Sequence, residues 1–218
     1  SSGTVLTLNT NSITAGAGGT ASTIAGIPLF GDVTNSSMYT HDVSGTDDSA
    51  SQNTAFGFTT LDAITTGDHN AAFGMGALGA NTTGSRNTAI GRATLGSPDT
   101  ENDNVAVGYN SLAGSIAGGE FNVAVGNSTL IALTSGDNNV AIGFEALKAE
   151  TSGYNNVAIG YQAALASNQA TNNTIIGRNA GDSITSGSNH VFVGSQAGDG
   201  FDTEAHNMGI GVGALGGS

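Results

Sequence analysis

Four histidines and a few carboxylates are the residues of this chain best suited to acid–base or metal chemistry, and their placement argues against both. His41, His69, His190 and His206 are scattered, and His69 and His190 stand seven repeats apart in the periodic pattern described below. A shared metal is excluded by that separation, so the histidines read as surface turn residues. Asp47-Asp48 and the Glu101/Asp103 pair lie in polar, turn-like runs and read as solvated loop charges. Their hard oxygens suit a loop-bound cation such as calcium. The Gly-Gly-x-Gly-x-Asp rhythm of calcium-binding nonapeptides does not recur, however, and no cofactor is expected. No nucleophile elbow, phosphate loop or Ser/His/Asp arrangement is present, so the chain reads as non-enzymatic.

Binding chemistry is better represented. Phe58, Met75, Arg92, Tyr109, Asn127, Phe144, Tyr161, Arg178, Ser195 and Val212 each follow one of a series of evenly spaced glycines. Aromatic and Arg side chains dominate binding hot spots and stack on sugar rings. Phe58, Met75, Arg92, Tyr109, Phe144, Tyr161 and Arg178 therefore form a candidate surface-recognition row. Packing against a neighbouring subunit, or shielding an edge, is the plainer use of the same side chains and carries the greater weight.

The spacing that creates this row is the strongest signal in the chain. Gly57, Gly74, Gly91, Gly108, Gly126, Gly143, Gly160, Gly177, Gly194 and Gly211 are 17 residues apart, except for one interval of 18 between Gly108 and Gly126. A fixed period of this kind marks a stacked repeat architecture. Four residues before the glycine stands Asn: Asn53, Asn70, Asn87, Asn104, Asn122, Asn139, Asn156, Asn173 and Asn207, with His190 as the exception. A large apolar residue always precedes the glycine, and Ala stands before that from Ala55 to Ala158. Leu recurs four residues after it, from Leu61 to Leu147 and again at Leu215.

Asn-Val-Ala-Ile-Gly is the period-two pattern of a short strand. The expected rung has two short strands and two turns, in an all-β parallel roll of about ten rungs. The large aliphatic rows are expected to fill its interior, and the Asn row to hydrogen-bond turn backbone and its stacked neighbours. The Ala row suits either a narrow interior or a flat surface against a second subunit. At an inter-strand spacing of about 4.8 Å, ten such rungs make a rod on the order of 50 Å long.

Composition narrows the partners. Lys and Arg total 4 against 17 Asp and Glu, for a net charge of -13. Nucleic-acid binding by phosphate neutralisation is excluded on that balance, and an anionic membrane surface is disfavoured. No apolar run is long enough for a membrane helix, so membrane insertion is not expected. The 218 residues contain no Cys, which removes disulfides and thiolate metal sites.

Asn155 to Ala164 (Asn-Asn-Val-Ala-Ile-Gly-Tyr-Gln-Ala-Ala) resembles the head repeats of trimeric autotransporter adhesins of the YadA type. Asn138 to Leu147, followed by Thr-Ser-Gly, is similar to bacteriophage tail-fibre repeats, and the 17-residue rung favours that comparison. The resemblance covers about residues 51–218 and implies a left-handed parallel β-roll, a homotrimer, and an adhesive role on a virion or cell surface. It implies a host-surface glycan or protein as ligand, and other fibre or virion proteins at the ends. A bacterial adhesin head and an architectural spacer without ligand are the alternatives. No heptad stalk, barrel anchor or intramolecular chaperone is recognisable, which suits a fragment or a small fibre subunit held by partners. Ice binding and hexapeptide-type acyl transfer fit poorly, lacking a regular Thr ladder and a six-residue rhythm.

Residues 1–50 lack the repeat and are expected to form a cap, an irregular first part of the roll or a docking segment before the repeat domain of 51–218. Thr4 to Leu8 reads as a strand, Ala15 to Thr20 as a Gly-rich linker and Ile24 to Phe30 as a second apolar patch.

Overall fold

A computed structural model describes residues 22–24, 27–32, 37–39, 49–97, 100–114, 117–200 and 203–216. The expected strand at Thr4 to Leu8, the linker at Ala15 to Thr20, His41 and Asp47-Asp48 lie outside them. The described chain is all-β and contains no helix. β1 (Ser22–Ile24), β2 (Ile27–Asp32) and β3 (Ser37–Tyr39) run antiparallel to one another in sequence. β3 then pairs in parallel with β4 (Thr54–Phe56), and every later pairing is parallel and in chain order. The later strands are β5 (Ala71–Phe73), β6 (Thr88–Ile90), β7 (Val105–Val107), β8 (Val123–Val125), β9 (Val140–Ile142), β10 (Val157–Ile159), β11 (Thr174–Ile176), β12 (Val191–Val193) and β13 (Met208–Ile210). Consecutive strands joined in register without reversal make a β-solenoid of about nine turns, each rung resting only on its neighbours.

Each rung has one strand rather than two. The Leu-bearing stretch is a train of tight turns in which alternate residues adopt left-handed backbone, as at Thr59 (φ 54°) and Leu61 (φ 52°). Such alternation cannot be extended. It bends the chain back within five residues and points Leu inward, at a backbone cost of order 1 kcal/mol per site. Interior packing of Leu and rung-to-rung hydrogen bonds offset that cost, for example Leu112 N–H to the Thr129 carbonyl at 2.9 Å.

The interior also differs from expectation. From β4 onward only the central residue of each strand points in, so the buried row begins Ala55, Ala72, Ala89, Ala106, Ala124, Ala141 and Ala158. The large residues on either side, including the row just before the glycine, face out, because successive strand side chains alternate. Small Ala lets the Leu61, Leu78, Leu95, Leu112, Leu130 and Leu147 row close over it from the opposite wall. The Ala row is thus a narrow interior and not a contact surface.

Where the strand centre enlarges, the opposite wall shrinks. Ile175 is matched by Gly181, where an added Cβ would come within 3.2 Å of the Ile175 Cδ1. Phe192 is matched by Gly198, where it would meet the ring at 2.2 Å. Gly209 faces Leu215, whose Cγ lies 3.2 Å from the corresponding point.

Buried Asn residues staple the rungs. Asn139 Nδ2 donates to the Gly153 carbonyl at 2.8 Å, while its Oδ1 accepts the Asn156 N–H at 3.0 Å. The same pair of bonds recurs along the row, satisfying backbone groups that the turns leave without a strand partner.

Candidate functional site

The repeat glycine sets the corner from which the candidate row projects. Gly143 has φ 131°, and a Cβ there would lie 2.3 Å from the Gly160 carbonyl oxygen of the next rung. Glycine alone satisfies both the dihedral and the close approach. The chain turns at this point, so the following residue leaves the sheet and enters solvent.

All seven members of the candidate row are exposed: Phe58, Met75, Arg92, Tyr109, Phe144, Tyr161 and Arg178. They lie on one corner of the rod but do not form one uniform ladder. Arg92 Nη1 donates to the Tyr109 hydroxyl at 3.2 Å, with the guanidinium carbon 5.5 Å from the ring centroid. Phe144 and Tyr161 stack with centroids 5.4 Å apart and planes inclined by 15°. Asn127 separates these two pairs, and its Oδ1 accepts the Tyr109 N–H at 3.1 Å. Arg178 Nη1 donates to Asn179 Oδ1 at 3.1 Å.

A polar rail runs beside the row. Lys148 Nζ donates to Glu145 Oε1 at 2.6 Å and Gln162 Nε2 to Glu145 Oε2 at 2.7 Å. These two donors, Lys148 first, hold the Glu145 carboxyl below its ordinary pKa. On another corner Arg86 grips Asp103 through two bonds of 2.6 and 2.7 Å, which lowers the Asp103 pKa and raises that of Arg86.

Two sequence readings of single residues change. Glu101 is not a solvated loop charge: it is buried, and its carboxylate accepts the backbone N–H groups of Thr100 and Gly118 at 3.1 and 2.9 Å. His190 is not a surface turn residue either. It is buried in the Asn row, stacked on Phe192 with centroids 4.9 Å apart, and its Nδ1 accepts the Asn207 N–H at 3.3 Å. His69 and His206 are exposed.

Sequence reasoning missed Glu150. Its carboxylate is fully buried and accepts the N–H groups of Thr151, Ser152, Gly153, Gln169 and Ala170, plus the Ser167 hydroxyl. It occupies a mixed buried row with Ile64, Asn81, Leu133, Ser167 and Ile184, which gives an acid there little to stand out against in the sequence. With both oxygens engaged by backbone N–H groups, Glu150 is a structural staple. Among the described residues, no group of three or more His, Cys, Asp or Glu is placed to hold a metal ion.

Comparison of the chain with protein-family models, curated proteins and solved structures finds no match. The functional reading therefore rests on the geometry of the corner row and the outer sheet face. That face carries Phe56, Phe73, Ile90, Val107, Val125, Ile142, Ile159, Ile176, Val193 and Ile210 in one column, and Phe56 is 48% exposed. The second outward column holds Val105, Val123, Val140 and Val157 at its centre. Among the described residues, no helix is long and apolar enough to cross a membrane.

Proposed function

We propose that this chain is a non-enzymatic, adhesive fibre protein of a phage tail fibre or related virion appendage. In this reading it is a left-handed β-roll, assembles side by side as a homotrimer, contacts other fibre proteins at its ends, and displays its glycine-corner row to a host-surface glycan or protein. The observation that carries the reading is the apolar outer sheet face, a strip on the order of 45 Å long at the inter-strand spacing. A continuous apolar strip of this length is unusual on a monomer and is the normal surface of an assembly. The hand and the three-fold number come from the repeat resemblance, and the row of exposed aromatic and Arg residues supports adhesion.

Native mass spectrometry at micromolar concentration is expected to give three chains. Ile142→Asp on the outer face is expected to release folded monomers, since it alters no interior row. A stable wild-type monomer would overturn the assembly. A trimer that binds neither host cells nor any glycan on an array would reduce the function to an architectural spacer.

A further inference from the structure

The break in the corner row has dimensions and chemistry of its own. Arg92, on the preceding rung, holds the hydroxyl end of Tyr109, with its guanidinium carbon 5.5 Å from the ring centroid. The next rung carries Asn127 at the same position, against the Tyr109 backbone. Tyr161, on the following rung, covers one face of Phe144, whose other face looks back over Asn127. Two aromatic rings thus flank a short polar residue from the rungs on either side, with Tyr109 45% and Phe144 43% exposed. The 18-residue rung does not disturb this alignment, because Val107 and Val125 remain in register and the extra residue falls in the distal part of the rung.

We propose that this notch, walled by Tyr109 and Phe144 and floored by Asn127, binds one pyranose ring of a neutral glycan. Width selects the guest. The walls stand two rungs apart, about 9.6 Å at an inter-strand spacing of about 4.8 Å. A flat aromatic guest fills only about 7 Å between two faces at van der Waals contact, so an aromatic side chain of a protein partner leaves one wall untouched. A chair-form sugar carries axial C–H groups on both faces and is thicker, at about 9 Å between walls with carbon contacts of about 4 Å plus the pucker. C–H bonds against the negative faces of both rings are the favourable arrangement for an aromatic quadrupole.

Polarity agrees with this choice. Asn127 Oδ1 is engaged by the Tyr109 N–H, which fixes the amide and presents the Nδ2 donors at the exposed floor. The ionised groups nearby are already engaged, Arg92 with the Tyr109 hydroxyl and Glu145 with Lys148 and Gln162. The chain's net charge of -13 disfavours acidic sugars.

This inference deepens the adhesive reading and rests on it only for the origin of the glycan. Saturation-transfer NMR on the full chain, with methyl glucosides, galactosides, mannosides and N-acetylglucosaminides and their oligosaccharides as probes, tests it directly. Transfer to protons on both faces of one ring is expected. Asn127→Tyr fills the notch while keeping both walls, and is expected to weaken binding about tenfold or more, as is Tyr109→Ala. Arg178→Ala, outside the notch, should leave binding unchanged. No transfer from any probe, or full binding by Asn127→Tyr, overturns the notch. Whole-cell adhesion by Asn127→Tyr separates the two ideas: if it matches wild type, adhesion stands and this site falls. If wild type itself binds no cells yet takes up the sugar, the site stands and the adhesive reading falls.

Discussion

The rungs of β4 to β9 and the rungs of β11 and β12 have the same outline and opposite interiors. In the first group the strand contributes Ala and the turn contributes Leu, while β10, between the groups, has Ala158 and Ala164 at both places. In the second the strand contributes Ile175 or Phe192 and the turn contributes Gly181 or Gly198. In these two groups the large interior residue comes from either wall. Packed interiors tolerate such exchanges when volume and pattern are kept.

The contrast can be broken at one pair. Phe192→Ala leaves a cavity opposite a glycine and is expected to cost about 3–5 kcal/mol. Gly198→Leu drives a side chain into the Phe192 ring and is expected to cost about 1–3 kcal/mol or more. The double variant recreates the Ala–Leu rung of β4 to β9, and urea unfolding should show it to be far more stable than the sum of its parts. Additive losses would mean that the two walls are not coupled.

A smaller, pH-dependent difference separates the Asn row from its exception. Burial holds the His190 pKa below its ordinary value, opposed by the Glu204 carbonyl and carboxylate, while His206 adds to the lowering. The neutral ring accepts the Asn207 N–H, and a protonated Nδ1 cannot. Between the folded and ordinary values the unfolded chain binds more protons, so stability is complete above the ordinary histidine range and is lost as pH falls through the folded value. His190→Asn should flatten this slope between about pH 8 and about pH 5 in thermal melts. An unchanged slope would assign the acid sensitivity to another group.

The smallest effect belongs to the surface of the regular rungs. Arg86→Ala removes an exposed ion pair with Asp103 and should leave the melting temperature unchanged within error, since such pairs are screened by water and salt. A clear loss would show that the corners stiffen the rod.

The period and the Asn staples are legible in the sequence because each is a recurring residue type at a fixed offset. Which strand face points inward is harder to read, because Val-Ala-Ile suggests large residues inside. The answer was nevertheless present in three compensating pairs, Ile175 with Gly181, Phe192 with Gly198, and Gly209 with Leu215. Left-handed Leu leaves no such trace: a Leu at φ 52° and a Leu in a strand have the same letter, and only the close turn distinguishes them. At the candidate site the order Tyr109, Asn127, Phe144 is plain once the rungs are aligned. The Arg92 bond to the Tyr109 hydroxyl and the Tyr161 stack on Phe144 are not, since both depend on side-chain conformation.

The Asn staple has a consequence for how such a chain changes length. Asn122, Asn139 and Asn156 meet their neighbours through the same atoms, 17 residues apart. Excising one whole period from this stretch would join two surfaces already shaped for each other, leaving no scar and shortening the rod by about 4.8 Å. Duplication would lengthen it by the same step. The gene for this chain is therefore a ruler that recombination can cut or extend by whole divisions.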